Sequence, residues 1–256
     1  MTPTLSGQHA IVTGGGRGIG LAIASRLAGL GAQVTITGRD AGRLTEVAAK
    51  LDGVRPAVCD VTDAASVASM VEEASAAFGP VSILVNNAGQ ASAKPFLKSS
   101  LSDLRAMLSV NLEGVWSVTQ AVLPMMIAAR SGRVINIAST AGLIGYPYVA
   151  AYVAAKHGVV GLTRALALEL ATKGVTVNAV CPGYTETDII AEAVANITAK
   201  TGRTEEEARA ELARANPQGR LIDPSEVAET VAFLVSEGAR GITGQAIAID
   251  GGEVAG

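Results

Sequence analysis

The sequence predicts a doubly wound α/β fold: a parallel sheet of about seven strands with helices on both faces. Three observations carry that prediction. Short apolar runs alternate with longer helical patterns along the chain, the rhythm of successive βαβ units. The runs are continuously apolar rather than alternating in polarity, as strands covered on both faces should be. The apolar content, 49% of 256 residues, is weighted towards Ala and Val with only 3% aromatics, which suits close helix packing on a Val/Ile-rich sheet.

Strand candidates fall at 9–13, 33–37, 54–58, 81–85, 133–137, 175–180 and 246–249. Helix candidates fall at 18–30, 41–51, 63–78, 101–130, 149–172 and 224–235. The rhythm breaks once, between Tyr184 and Arg220, where two helical stretches follow one another with no strand between them. Thr204 and Glu207 are spaced as a capping box for the second. This excursion leaves the sheet after a strand, at the edge where ligands bind in such folds. Residues 184–220 are therefore read as a helical lid over a substrate. No interdomain linker or internal repeat interrupts the pattern, so 1–256 is read as one domain.

Composition argues against several function classes. The formal net charge is −3, with no basic stripe, so nucleic acid is not an expected partner. Cys59 and Cys181 each close an apolar run and offer neither a disulfide framework nor zinc-ligand spacing. With His9 and His157 as the two histidines, no metal site is expected. The first residues lack the form of a signal peptide, and no run of ~18 uninterrupted apolar residues marks a membrane span. A soluble, cytoplasmic protein is expected.

Thr13-Gly14-Gly15-Gly16-Arg17-Gly18-Ile19-Gly20 links the first strand to the first helix. Glycines permit a tight turn and close backbone approach to a pyrophosphate, and the helix N-terminus adds free N–H groups and partial positive charge. There is no Gly-Lys-Ser/Thr, which disfavours a nucleoside-triphosphate loop.

Tyr152 and Lys156 lie four apart on a helix candidate and so share a face. A free phenol has a pKa near ~10, and lowering it by ~3 units takes about 4 kcal/mol. A neighbouring ammonium acts in that direction. On spacing alone, the two read as an ordinary amphipathic pair. Ser139 lies just past a strand end, as an oxygen-binding hydroxyl or as a turn residue. Asn111 lies within a long helix candidate, where its amide would distort the helix. A hydrolase nucleophile at Ser139 is disfavoured, because the G-x-S-x-G elbow is missing and neither histidine is placed to serve it.

Together these stretches resemble short-chain dehydrogenases/reductases. TGGGRGIG is similar to that family's TGxxxGxG turn, and Asn86-Asn87-Ala88-Gly89 to its NNAG stretch. Ser139 with Tyr152-Val153-Ala154-Ala155-Lys156 resembles its Ser and YxxxK signature, and Pro182-Gly183 with Thr187 its PGxxxT segment. The resemblance runs from about Gly7 to Gly252. It implies a Rossmann fold, a nicotinamide cofactor, and hydride transfer between that cofactor and a carbonyl or alcohol carbon. It implies Gly14, Arg17, Gly18, Ile19 and Gly20 at the pyrophosphate and Asp60 with Val61 beside the adenine. Asn87, Ala88 and Gly89 would lie by the adenosine ribose, and Pro182, Gly183 and Thr187 at the nicotinamide. Tyr152 would be the proton donor and Lys156 would tune it and hold a ribose. Ser139 would position the substrate oxygen, and Asn111 would hold a relay water.

An NAD-preferring member of such folds ends its second strand with an acid that binds the ribose 2′-hydroxyl. Here Gly38 occupies that place and Arg39 follows, a guanidinium suited to a 2′-phosphate. Arg17 can approach the same phosphate; both arginines also suit a solvated surface. Asp40 either neutralises Arg39 or caps the next helix. NADP is the expected cofactor, NAD the alternative.

Residues 134–187 are similar to bacterial 3-oxoacyl thioester reductases, 3-hydroxyacyl-CoA dehydrogenases and aromatic polyketide ketoreductases. Gln90-Ala91-Ser92-Ala93 departs from the glycine-rich segment of the last group. The implied substrate is a 3-oxoacyl or 3-hydroxyacyl thioester on CoA or an acyl carrier protein. A sugar, cyclic alcohol or small ketone is the alternative, and a non-catalytic cofactor sensor on the same scaffold is a reading of another class. The resemblance also implies a homotetramer built through helices 101–130 and 149–172.

Overall fold

The computed structural model describes residues 4–255, apart from the side chains of Ile189, Glu192 and Asn196. Its strands are β1 His9–Thr13, β2 Gln33–Gly38, β3 Val54–Val58, β4 Ile83–Asn86, β5 Gly132–Ile137, β6 Val175–Pro182 and β7 Ala246–Ile249. All seven join one parallel sheet in the order β3-β2-β1-β4-β5-β6-β7. Burial follows that order. β1, β4 and β6 are buried at every position, as continuous apolar runs require. The edge strand β3 alternates instead, with Arg55 and Val58 exposed. Its Pro56 lacks a donor for a ladder, which an edge strand tolerates.

The helices are α1 Gly18–Gly29, α2 Ala41–Ala48, α3 Ala64–Phe78, α4 Leu101–Leu108, α5 Gly114–Ala129, α6 Ala150–Leu170, α7 Asp188–Thr201, α8 Glu205–Ala213 and α9 Pro224–Val235. On one face, Ile23 and Leu27 of α1 pack with Val227 and Val231 of α9 over β1 and β2. On the other, Met70 of α3, Val122 of α5 and Leu170 of α6 cover Ile11, Leu84 and Val134.

The single helix expected over 101–130 is two helices joined by a π turn, Ser109–Glu113. The cause is Asn111. Its Nδ2 donates to the carbonyl of Met107, four residues back, at 3.0 Å, and to the Gln90 carbonyl at 2.9 Å. A side chain that takes the i−4 carbonyl displaces the backbone bond that would continue an α-helix. By length and composition the whole run, Leu101–Ala129, is apolar enough to cross a membrane. In the fold it lies against α3, β4 and β5.

Between β6 and α9 the chain makes the excursion expected at 184–220. Helices α7 and α8 form a small core of their own around Ile190, Val194 and Ala208, and Thr204 and Glu207 make the anticipated capping box. The two ends of the excursion are clasped by a parallel bridge. Glu186 N donates to Ile222 O and Ile222 N to Tyr184 O, each at 2.9 Å.

The winding order reverses between the parallel neighbours β1 and β4, which opens a crevice at their carboxyl ends. Just below it runs a buried polar ladder. Asn86 Nδ2 donates to Thr119 Oγ1 at 2.9 Å and to Asn136 Oδ1 at 2.8 Å, and Asn136 Nδ2 donates to Thr163 Oγ1 at 2.9 Å. This ladder ties β4 and β5 to α5 and α6. Asn136→Ala strands a buried donor, which costs about 2–3 kcal/mol. The urea midpoint should fall accordingly with no change in m value.

Candidate active site

The crevice is a cleft of about 660 Å³, and every expected site residue except Gly20 lines it. Gly20 sits one layer below and sets the turn's shape. A Cβ there would lie 2.2 Å from the Gly14 carbonyl oxygen and 2.5 Å from Asn87 Nδ2. Gly14 adopts φ +65°, and a Cβ on it would press on Asn87 and Ala88. Thr13 binds this turn to the one after β4. Its hydroxyl accepts from the N–H groups of Asn87 (2.9 Å) and Ala88 (3.0 Å), while Asn87 Nδ2 donates to the Thr13 and Gly14 carbonyls at 2.9 and 3.2 Å.

The cleft fits a phosphorylated dinucleotide. Neither α1 nor α7 has a side-chain cap at the N-terminus facing it, so free N–H groups are presented to an anion. At the far end Arg17, Arg39 and Arg43 cluster around the turn. Asp40 caps α2 by accepting from Arg43 N at 3.0 Å, and its ion pair is with Arg43 rather than Arg39. Asp188, the first residue of α7, stands 3.7 Å from both Arg17 and Arg43. Asp60 accepts from Thr62 N and Oγ1 at 3.0 and 2.7 Å, which holds its carboxyl below the usual range. The N-cap of α3 is Asp63 rather than Asp60.

At the other end stand Tyr152, Lys156 and Ser139. Lys156 is 5% exposed, its Nζ donates to the Ile137 carbonyl at 2.8 Å, and it lies 5.6 Å from the centre of the Tyr152 ring. Ser139 caps a short turn, its Oγ accepting from Ala141 N at 3.1 Å. Asn111 reaches the cleft wall, where its Oδ1 accepts from Gln90 N at 3.3 Å. A Cβ on Gly89 would lie 2.8 Å from that oxygen, so only glycine fits beside it.

The family model described as enoyl-(acyl carrier protein) reductase matches residues 14–253. The putative ketoacyl reductase 1 of the granaticin polyketide synthase of Streptomyces violaceoruber is 42% identical over 249 residues, 95% of this chain and 92% of its own length. This chain belongs to the short-chain dehydrogenase/reductase family. It is an oxidoreductase of carbonyl and alcohol groups. The D-beta-hydroxybutyrate dehydrogenase of Cupriavidus necator is 39% identical, covering 98% of this chain and 99% of that one. A crystal structure of an actinorhodin polyketide ketoreductase variant with NADPH superposes with a TM-score of 0.93 at 39% identity, over 99% of both chains. The polyketide ketoreductases are thus close relatives despite the departure at Gln90–Ala93.

Sequence reasoning on this dehydrogenase/reductase missed further wall residues, Arg43, Tyr146 and Val149 among them. Arg43 was recoverable, four residues after Arg39 and one turn into α2. Tyr146 and Val149 line the cleft through a loop with no regular period. The remaining histidines serve structure. His9 is buried between the Gly79 carbonyl and Thr35 Oγ1, both at 2.9 Å, and His157 bonds the Val153 carbonyl at 3.0 Å.

The electrostatics correct one expectation. The sequence argument had Lys156 lowering the Tyr152 pKa. Here burial dominates and pushes the phenol up, with the Ser139 hydroxyl pulling part of the way back. Burial likewise brings Lys156 down to about 8. In the unfolded chain this lysine holds its proton to ~10.4. Between pH 8 and 10.5 the unfolded state therefore binds more protons, and stability rises with pH through this group. The stability of the cofactor-free protein minus that of Lys156→Met should thus increase over that window, in urea titrations at pH 7.5, 9 and 10.5. A flat difference would remove the buried ammonium from the account.

Proposed function

We propose that this chain is an NADPH-dependent reductase of 3-oxoacyl thioesters carried by CoA or an acyl carrier protein. The observation that carries the reading is a single cleft shared by the glycine turn, the Arg39 cluster and the Tyr152–Ser139–Lys156 group. When bound, NADPH supplies the hydride. Gly14, Gly18, Ile19 and the α1 N–H groups would hold its pyrophosphate, with Arg39, Arg17 and Arg43 on the 2′-phosphate. Asp60 and Val61 would flank the adenine, and Asn87, Ala88 and Gly89 the adenosine ribose. Pro182, Gly183 and Thr187 would meet the nicotinamide end.

Tyr152 holds the proton destined for the substrate oxygen, and its raised affinity keeps that proton in place until the oxygen gains charge. Ser139 orients the oxygen and stabilises the charge that develops on it. Lys156 has three N–H donors, one of them on Ile137, leaving two for a ribose and a water. Asn111 sits behind that water in the proton relay. Two hydroxyls converging on one oxygen favour a carbonyl as the reacting group over the carbon–carbon double bond of an enoyl substrate. The excursion at 184–220 acts as the lid, with Asp188 and Ile190 of α7 lining the cleft and Ile190 presented to the acyl chain.

The chain works as a cytoplasmic homotetramer in this reading. Its support is the exposed apolar side chains on the long helices, with Leu101, Trp116 and Leu168 at 68%, 56% and 83% exposure. Light scattering should give about four times the 25.8 kDa chain mass, and Trp116→Glu should lower it.

The activity panel sets acetoacetyl-CoA and longer 3-oxoacyl thioesters against cyclic ketones and crotonyl-CoA, each with NADPH and NADH. The thioester ketones should be reduced fastest and crotonyl-CoA not at all. Tyr152→Phe should lower kcat by ~100-fold or more. Arg39→Ala should weaken NADPH binding by about tenfold or more while leaving NADH binding within a few-fold. Equal turnover of wild type with both cofactors would overturn the cofactor assignment.

A further inference from the structure

Beyond Ser139 the cleft is walled by Tyr146 and Tyr184, edge to face with ring centres 6.5 Å apart. Tyr146 is held from behind. Its hydroxyl lies 2.8 Å from Thr140 Oγ1 and donates to Glu253 Oε1 at 2.5 Å. Burial, and then this carboxylate, push the Tyr146 pKa up, so the phenol keeps its proton.

Glu253 belongs to a C-terminal turn shaped by Asp250, whose Oδ1 and Oδ2 accept from Gly252 N and Val254 N, each at 2.9 Å. Both acids stand behind Gly183. A Cβ on that glycine would be 3.1 Å from Glu253 Oε2 and 3.3 Å from Asp250 Cβ. The cations are distributed oppositely. Arg17, Arg39 and Arg43 line the ribose end. At the reacting end, Lys156 is the one cation lining the cleft among the described residues, and it is already bonded to the Ile137 carbonyl.

We infer that the C-terminal turn, through the charge of Glu253 behind Tyr146, selects neutral carbonyl substrates over free 3-oxo acids. The inference rests on the reductase reading above and narrows its substrate class. A free carboxylate passing Tyr146 and Tyr184 loses hydration without meeting an unpaired cation. It also faces two carboxylates one layer behind the wall. An ester or thioester of the same acid carries no charge and meets neither cost. This sets the chain apart from its hydroxybutyrate dehydrogenase relative, whose named substrate is an anion.

The test uses acetoacetate and ethyl acetoacetate, which share the reacting carbonyl and differ in charge. Dissociation constants are measured by calorimetry on protein saturated with NADP⁺, and kcat/KM separately with NADPH. Wild type should favour the ester by about tenfold or more in both. Glu253→Gln keeps an acceptor for Tyr146 and removes the charge. It should narrow the ester-to-acid ratio about fivefold. Tyr146→Phe keeps the charge and should hold or widen the ratio. An unchanged ratio in Glu253→Gln, a narrowed one in Tyr146→Phe, or equal wild-type binding of acid and ester each overturns the inference. Failure to reduce any ketone would sink the reductase reading instead, and the binding ratio would still judge the turn.

Discussion

The cleft depends on the lashing of two strand ends by Thr13. β1 and β4 are neighbours whose chains depart in opposite directions, so nothing in the sheet itself fixes how their two turns face each other. The Thr13 hydroxyl does so by taking both N–H groups of the β4 turn, and Asn87 returns the contact to the Thr13 and Gly14 carbonyls. That exchange satisfies polar backbone that a buried turn would otherwise strand. It also explains why Gly20 cannot carry a side chain although it is outside the cleft: the space a Cβ needs is filled by the Gly14 carbonyl and Asn87.

The reacting end is built on a different constraint, the burial of two titratable groups with little to neutralise them. The ammonium of Lys156 is bonded to a carbonyl dipole rather than to a carboxylate. Burial therefore moves Lys156 down and Tyr152 up, each towards its neutral form. The protein alone keeps the proton on the phenol. An environment of that kind suits a donor more than a base, because the donor must hold its proton until an oxygen elsewhere becomes charged.

Much of this was legible in the sequence, and what was not has local causes. Strand positions and the glycine turn were readable because a buried parallel sheet imposes continuous apolar runs and a helix–strand rhythm. The capping pair Thr204 and Glu207 announced α8 because its two bonds depend only on spacing. The π turn was not readable as such: Asn111 could be suspected of bending its helix, but its amide is also held by a second bond, to Gln90, twenty-one residues away. The direction of the Tyr152 shift escaped for a similar reason. Spacing along α6 places the ammonium near the phenol, whereas the groups that act on the buried phenol, Ser139, Cys181 and Tyr184, come from other elements. Asp40 shows the same limit at short range, since whether it caps α2 or pairs with Arg39 depends on backbone angles that composition does not report.

The charges along the cleft have one further consequence for the orientation of substrate. Guanidiniums gather where the cofactor 2′-phosphate would lie, interleaved with Asp40, Asp60 and Asp188, whereas Asp250 and Glu253 stand behind the wall where carbon chemistry would occur, with Lys156 as the one cation lining that end among the described residues. A substrate with an anionic head and a neutral reactive tail keeps its own charge away from those two carboxylates. An acyl thioester is of this type, with its phosphates at one end and its carbonyls at the other. Its neutral end can enter past Tyr146 while its charged end remains outside the tyrosine wall. A small oxo acid has no such separation and must bring its charge to the reacting carbonyl itself. The proposed selection would therefore favour substrates in which the carrier, rather than the reacting fragment, bears the charge.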